Sequence, residues 1–195
     1  MARLTRAESQ ARTREHVLDT AHELFLRDGF TTTSIERVAE AAGYSKGAVY
    51  SNFATKNQLC LAVLDRIAMR QVADIAAAMG DAPRIEDRLA GFATWAEQHI
   101  GDSSWTALEV EFATANRRDA QVCAQLAHRR RTVTEVLADL IRAQTRELGV
   151  TPAVSADTAA LILLSLGIGI GVQRAFDPTV PVRPVVDLLH RFLTD

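Results

Sequence analysis

Thr33-Ser-Ile-Glu-Arg-Val-Ala-Glu-Ala-Ala-Gly-Tyr-Ser-Lys-Gly-Ala-Val-Tyr-Ser-Asn-Phe53 packs two short helices and the turn between them into a single segment. Ile35, Val38, Ala39 and Ala42 recur at spacings of three and four, which draws one apolar stripe along the first helix. Val49 and Phe53 do the same for the second. The junction is Ala42-Gly43-Tyr44-Ser45: Gly43 accepts a positive φ at low steric cost, and Ser45 is a candidate N-cap. With the apolar residues holding the crossing, the second helix turns Lys46, Gly47, Ala48, Tyr50, Ser51 and Asn52 outward. That face is small, polar and free of acids, which suits a helix approaching a nucleic-acid duplex closely.

Working outward, Val17, Leu18, Ala21, Leu24 and Phe25 form the stripe of a preceding amphipathic helix from Arg12 to Arg27, stopped by Asp28-Gly29. Thr31-Thr32-Thr33-Ser34 offers a run of hydroxyls to cap the next helix. From Thr55 a longer pattern runs through Leu59, Ala62, Val63 and Ile67 to Met79. Past the breaker Gly80-Asp81-Ala82-Pro83, further helices are predicted at about Arg84 to Ile100, Ser104 to Asn116, Arg118 to Leu148, Ser155 to Phe176 and Val182 to Leu193. No segment alternates with period two. The expected fold is all-α with about nine helices: a three-helix N-terminal helix-turn-helix domain over 1–55 and a larger helical domain over 56–195.

Composition bounds what such a chain does. Its 195 residues, 48% hydrophobic and 24% charged, are enough to bury a core without staples. The net charge is −2, and residues 1–60 hold eight basic against seven acidic side chains, so bulk charge does not mark a nucleic-acid partner. The identity of the bases says more: of 22 basic residues only Lys46 and Lys56 are lysine, and both lie in the helix-turn-helix region. Cys60 and Cys123 show no metal or disulfide spacing and are expected to be small core residues in a reducing cytoplasm. The N-terminus lacks the apolar region of a signal peptide, and the apolar run Ala159 to Val172 is too short for a membrane span. Five scattered histidines offer no triad or ligand set, so no catalytic residue, metal or cofactor is expected. Gly167-Ile-Gly-Ile-Gly171 fails as a dinucleotide loop, because a third fingerprint glycine would fall on Val172.

The segment from Gly29 to Leu59 resembles the DNA-binding domain of the TetR family of transcriptional regulators. Thr33, Ala39, Ala42, Gly43, Ser45, Gly47, Tyr50, Phe53 and Lys56 meet the family pattern, while Tyr44 and Ala54 depart from it at structural positions. The resemblance implies that Thr33 binds a phosphate through its hydroxyl and adjacent amides, and that Lys46 meets a base edge or a phosphate. It also implies that Gly47 admits the backbone to the groove, that Ala48 touches a thymine methyl, and that Tyr50, Asn52 and Lys56 contact phosphates. Ser51 then meets a base or a phosphate. Arg3, Arg6 and Arg12 serve as arm contacts or as a solubilising tail.

For the rest of the chain the resemblance implies a homodimer on double-stranded operator DNA and a small-molecule effector. The expected dimer surface combines Leu164, Gly167 and Gly171 with Val185, Leu188, Leu189 and Phe192; the alternative for each is the chain's own core. The expected effector contacts are Met69, Phe92, Trp95, His99, Trp105, Leu108, Glu111, Phe112, Cys123 and Gln173, again with plain core or surface as the alternative. Such a lining favours an apolar or aromatic ligand. The implied activity is repression relieved by that ligand; the alternative is an activator or a ligand-independent regulator of the same fold.

Overall fold

A computed structural model describes residues 5–100 and 103–194. Among them are nine helices and no strand: α1 (Arg6–Asp28), α2 (Ile35–Ala41), α3 (Lys46–Tyr50), α4 (Lys56–Met79), α5 (Ile85–His99), α6 (Ser103–Ala115), α7 (Ala120–Leu148), α8 (Ala156–Arg174) and α9 (Arg183–Thr194). The all-α expectation is borne out. Most ends fall where the sequence places a cap: Asp119 Oδ1 accepts from the N–H groups of Gln121 and Val122 at the start of α7, and Ser155 Oγ from that of Thr158 at the start of α8. The exception is α1, which begins six residues before the expected Arg12. Thr5 and Glu8 form a capping box there, with Thr5 N–H donating to Glu8 Oε2 at 2.7 Å and Glu8 N–H to Thr5 Oγ1 at 3.2 Å. Arg6 and Arg12 are therefore helical and exposed, not part of a loose arm; Arg3 lies outside the described residues.

The chain divides into two compact units, residues 1–67 with 107–126, and residues 68–106 with 127–195. The motif-based boundary at 55/56 differs from this division because the helix-turn-helix takes part of its core from α4, α6 and α7. In the first unit Val17, Ala21 and Phe25 of α1, Val38 of α2, Val49 of α3 and Phe53 just past it, Leu59 and Val63 of α4 and Phe112 of α6 belong to one buried cluster. The Phe30 ring meets Phe112 edge-on at 4.8 Å. Side chains buried to this degree contribute about 1.5–3 kcal/mol each, which is what holds a seven-residue and a five-residue helix that have little stability alone.

The second unit is built from α5, α8 and α9 with parts of α4, α6 and α7, and its core includes Leu89, Phe92, Ala96, Ala138, Ala156, Ala159, Ala160, Val185, Leu189 and Phe192. This corrects the expected dimer surface. Val185, Leu189 and Phe192 are core residues, because α9 turns that face inward where α8 and α9 pack; Gly171 is buried against Thr106, and Gly167 is half-buried near Ile100. Leu164 and Leu188 remain half-buried. The apolar groups that α8 does expose are Leu161 at 55% and Ile162 at 39%. With 19 residues, α8 is long and apolar enough by composition to cross a membrane, longer than the run from Ala159 to Val172 suggested.

One buried charge anchors this unit. Arg88, 3% exposed, donates through Nε to the Ala82 carbonyl at 2.6 Å and through one terminal nitrogen to Gln144 at 2.5 Å and Glu147 at 2.9 Å. Its two side-chain partners lie on α7, so Arg88 fastens α5 to that helix and to the loop before α5.

Candidate nucleic-acid interface

The second helix of the motif is fixed at its start, along its inner face and at its end. Ser45 Oγ accepts from Ala48 N–H at 3.2 Å, the N-cap that the sequence predicts. Val49 and Phe53 are fully buried. Gly43, at φ 71°, turns the chain between α2 and α3 in a region that side chains with a Cβ resist. The outward face then carries Lys46, Gly47, Tyr50 and Ser51, all exposed, with Ala48 and Asn52 half-buried.

These residues are not equally free. Lys46 is paired with Glu36 of α2, and its Nζ lies 5.7 Å from the centre of the Tyr50 ring. The hydrogen bond from Lys46 holds the Glu36 carboxyl below its ordinary value and raises the lysine above its own, so both stay charged at neutral pH. Ser51 Oγ and Asn52 Nδ2 both donate back to the Ala48 carbonyl, at 2.8 Å and 2.9 Å. No heavy atom but Ser45 Oγ, at 3.9 Å, would meet a Cβ built on Gly47. Nothing among the described residues therefore demands glycine there.

Thr33 is corrected. It is 0% exposed, and its hydroxyl donates to the Gly29 carbonyl at 2.8 Å and toward that of Leu24 at 3.4 Å. Ser34, one residue on, is the exposed N-cap of α2, accepting from Arg37 N–H at 3.2 Å. A β-branched threonine closes the loop and the smaller serine takes the cap.

Lys56 is also differently engaged. At the first turn of α4 it is half-buried, with Nζ 4.2 Å from the centre of the Phe30 ring and donating to the Thr31 carbonyl at 3.3 Å. Burial pulls its pKa below the ordinary lysine value. Its neighbour is Glu111 of α6, whose carboxylate accepts from the N–H groups of Phe30 at 2.9 Å and Thr31 at 2.8 Å. At φ 84° the turn favours glycine at Gly29, and a Cβ there would stand 2.7 Å from Glu111 Oε2 and push the carboxylate aside. Burial opposes ionisation of Glu111, yet the hydrogen bonds from Thr31 and Phe30 and the Lys56 charge outweigh it and lower the carboxyl.

The ten expected effector residues do not form one set. Glu111 clamps the α1–α2 turn, Leu108 and Phe112 are buried in the core of the first unit, and Cys123 is exposed there, its thiol facing the carbonyls of Asn116 and Arg117. Cys60 alone is the buried cysteine expected. Apolar spacing places Trp105, Leu108 and Phe112 on one helix face but does not say which core receives each. The other six lie in the second unit. Phe92, Trp95 and His99 stack in succession along α5, with centroids 5.8 Å and 5.3 Å apart, and His99 Nδ1 is 2.8 Å from the Trp95 carbonyl. Met69 is 41% exposed, and Gln173 is exposed and donates to the Gly169 carbonyl. The indole N–H groups of Trp95 and Trp105 and the hydroxyl of Thr106 are buried without a hydrogen-bond partner among the described residues.

A residue that the motif does not contain completes the interface. Arg14 of α1 donates to the Asn52 carbonyl at 2.7 Å and lies 4.1 Å from the centre of the Phe53 ring. It stands two positions past Arg12, and nothing local marks it, because its partner is 38 residues away.

Two crossed helices, one cored on a glycine turn and the other presenting a small, polar, largely exposed face, define a helix-turn-helix DNA-binding protein. Residues 17–63 match the family described as bacterial regulatory proteins, tetR family. The regulator AcrR of Shigella flexneri is 46% identical over 59 residues, which is 30% of this chain and 27% of AcrR. UidR of Escherichia coli K12 is 24% identical over 158 residues, covering 81% of this chain and 79% of UidR. In three dimensions GusR of Salmonella enterica superposes with a TM-score of 0.68 over 98% of this chain and 99% of its own, at 21% identity. Residues 17–63 therefore carry a DNA-binding domain like that of the tetR family of bacterial regulatory proteins, and the chain is similar along most of its length to transcriptional regulators with that domain.

Proposed function

We propose that two copies of this chain occupy one operator in the cytoplasm, repress transcription there, and leave when the second unit takes up a small apolar or aromatic ligand. The observation that carries the DNA contact is the outward face of α3, where Lys46, Gly47, Tyr50 and Ser51 are exposed on a helix pinned from its inner side. One five-residue helix reads few bases, so two half-sites about one helical turn apart supply the missing affinity and specificity. The exposed Leu161 and Ile162 of α8, with half-buried Leu164 and Ile168, supply apolar surface for a second copy. The stacked Phe92, Trp95 and His99 and the unpaired donors of Trp95, Trp105 and Thr106 suit a flat apolar ligand carrying hydrogen-bond acceptors.

Footprinting on the DNA flanking its own gene, with and without candidate ligands, tests the whole scheme. A protected site that a flat apolar compound releases is the expected result. Replacing Lys46 and Tyr50 together by alanine is expected to weaken that binding by at least about a hundredfold, since each good contact is worth about 1–3 kcal/mol and is made twice per dimer. Retained binding in this variant would move the contact away from α3. Sedimentation at micromolar concentration checks the dimer; a monomer removes it.

A further inference from the structure

We propose that Arg14 is a positioning residue for DNA recognition: from α1 it caps the C-terminal end of the recognition helix and fixes the angle at which that helix meets the groove. This rests on the DNA-binding role of α3. A five-residue helix does not hold its own shape, because nucleation costs more than one turn of hydrogen bonds returns. Its first turn is held by Ser45 and its inner face by Val49 and Phe53. At the far end the Ala48 carbonyl is occupied by Ser51 and Asn52, and the Asn52 carbonyl by the Arg14 guanidinium. A cation there also complements the partial negative charge of the helix end.

The geometry is specific to arginine. The guanidinium lies 4.1 Å from the centre of the Phe53 ring while one terminal nitrogen donates to the Asn52 carbonyl at 2.7 Å. A planar, delocalised cation does both at once; a lysine ammonium, compact and strongly hydrated, does not. The two contacts join the end of α3 to α1, so an error in either tilts the face bearing Lys46, Tyr50 and Ser51. Arg14 is exposed like Arg6 and Arg12 on the same helix and is set apart from them by its contacts with Asn52 and Phe53.

The test separates positioning from a plain phosphate contact. Wild type, Arg14→Ala and Arg14→Lys are titrated, at several salt concentrations, on a duplex enriched by the wild-type protein from a random pool and on an unrelated duplex of equal length. Amide hydrogen exchange is followed on the same proteins without DNA. Both variants are expected to lose about tenfold or more on the enriched duplex while affinity for the unrelated duplex and the salt slope stay put. The amides of Ser51 to Phe53 are expected to exchange faster while those of Val17 to Phe25 remain protected. Equal loss on both duplexes with a slope shallower by about one per contact would make Arg14 a phosphate ligand and overturn the proposal. So would unchanged affinity, or faster exchange throughout α1. The exchange readout needs no operator, so a failure to enrich any duplex counts against the DNA-binding reading and leaves the capping role measurable; if Arg14→Ala does not fold, Arg14→Lys carries the same comparison.

Discussion

Thr33, Glu111 and Arg14 tie turns and helix ends of the N-terminal unit to named backbone atoms, whereas the C-terminal unit packs through Ala138, Ala156, Ala159, Ala160 and Gly171 and leaves the indole N–H groups of Trp95 and Trp105 unpaired. The difference follows from helix length. Helices of five and seven residues have almost no stability of their own and hold a groove-reading geometry only if their ends are fixed from outside. Helices of 29 and 19 residues carry many more backbone hydrogen bonds of their own and depend less on fixed ends. The unit that presents the outward face of α3 is built accordingly.

The largest test of this contrast lies at its exception, Arg88. Arg88→Ala strips Gln144 and Glu147 of their partner and is expected to cost about 3 kcal/mol in chemical denaturation. A loss under about 1 kcal/mol would mean that this buried pair contributes little and that the contrast is sharper still.

Glu111→Gln comes next, at about 2 kcal/mol near neutral pH, because an amide replaces one of the acceptors facing the Phe30 and Thr31 N–H groups with a donor. Since the folded state lowers the Glu111 carboxyl, its contribution is complete above the unfolded-state value near 4.5 and is lost as the pH falls through the lower folded-state value. The gap between wild type and variant should therefore close in acid; unfolding curves from pH 7 downward check it.

Smaller effects are expected at two helical glycines. Gly47→Ala should leave the fold as stable or more so, since only Ser45 Oγ lies near, yet weaken DNA binding by about tenfold because a methyl stands between helix and groove. Thermal melting and a binding titration on one sample separate the two. Gly169→Ala, with nothing within 4 Å, should stabilise the chain by about 0.5–1 kcal/mol. Weaker self-association in that variant by sedimentation would place Gly169 at the contact between copies.

What the sequence disclosed follows the range of the interaction. Ile35, Val38, Ala39, Ala42, Gly43, Ser45, Val49 and Phe53 act within one turn or across one crossing, and their spacing alone located the reader. The Thr5-Arg-Ala-Glu8 capping box was equally local and readable, though the apolar stripe beginning at Val17 draws the eye past it. Thr33 and Ser34 were indistinguishable in a row of four hydroxyls until burial sorted them. Glu111 and Arg14 were beyond reach, since each acts on a backbone atom dozens of residues away and no periodicity encodes a partner of that kind.

The two lysines carry a consequence for handling the protein. Apart from the α-amine, Lys46 and Lys56 are its only primary amines, and both stand in the DNA-reading unit. Acylation of a lysine side chain, by reagent or by enzyme, therefore falls there. Burial lowers the pKa of Lys56, while Lys46 is the more exposed of the two. A sensor chip coupled through a lysine tethers the molecule by its DNA-reading unit, and a loss of DNA binding measured that way reports the attachment.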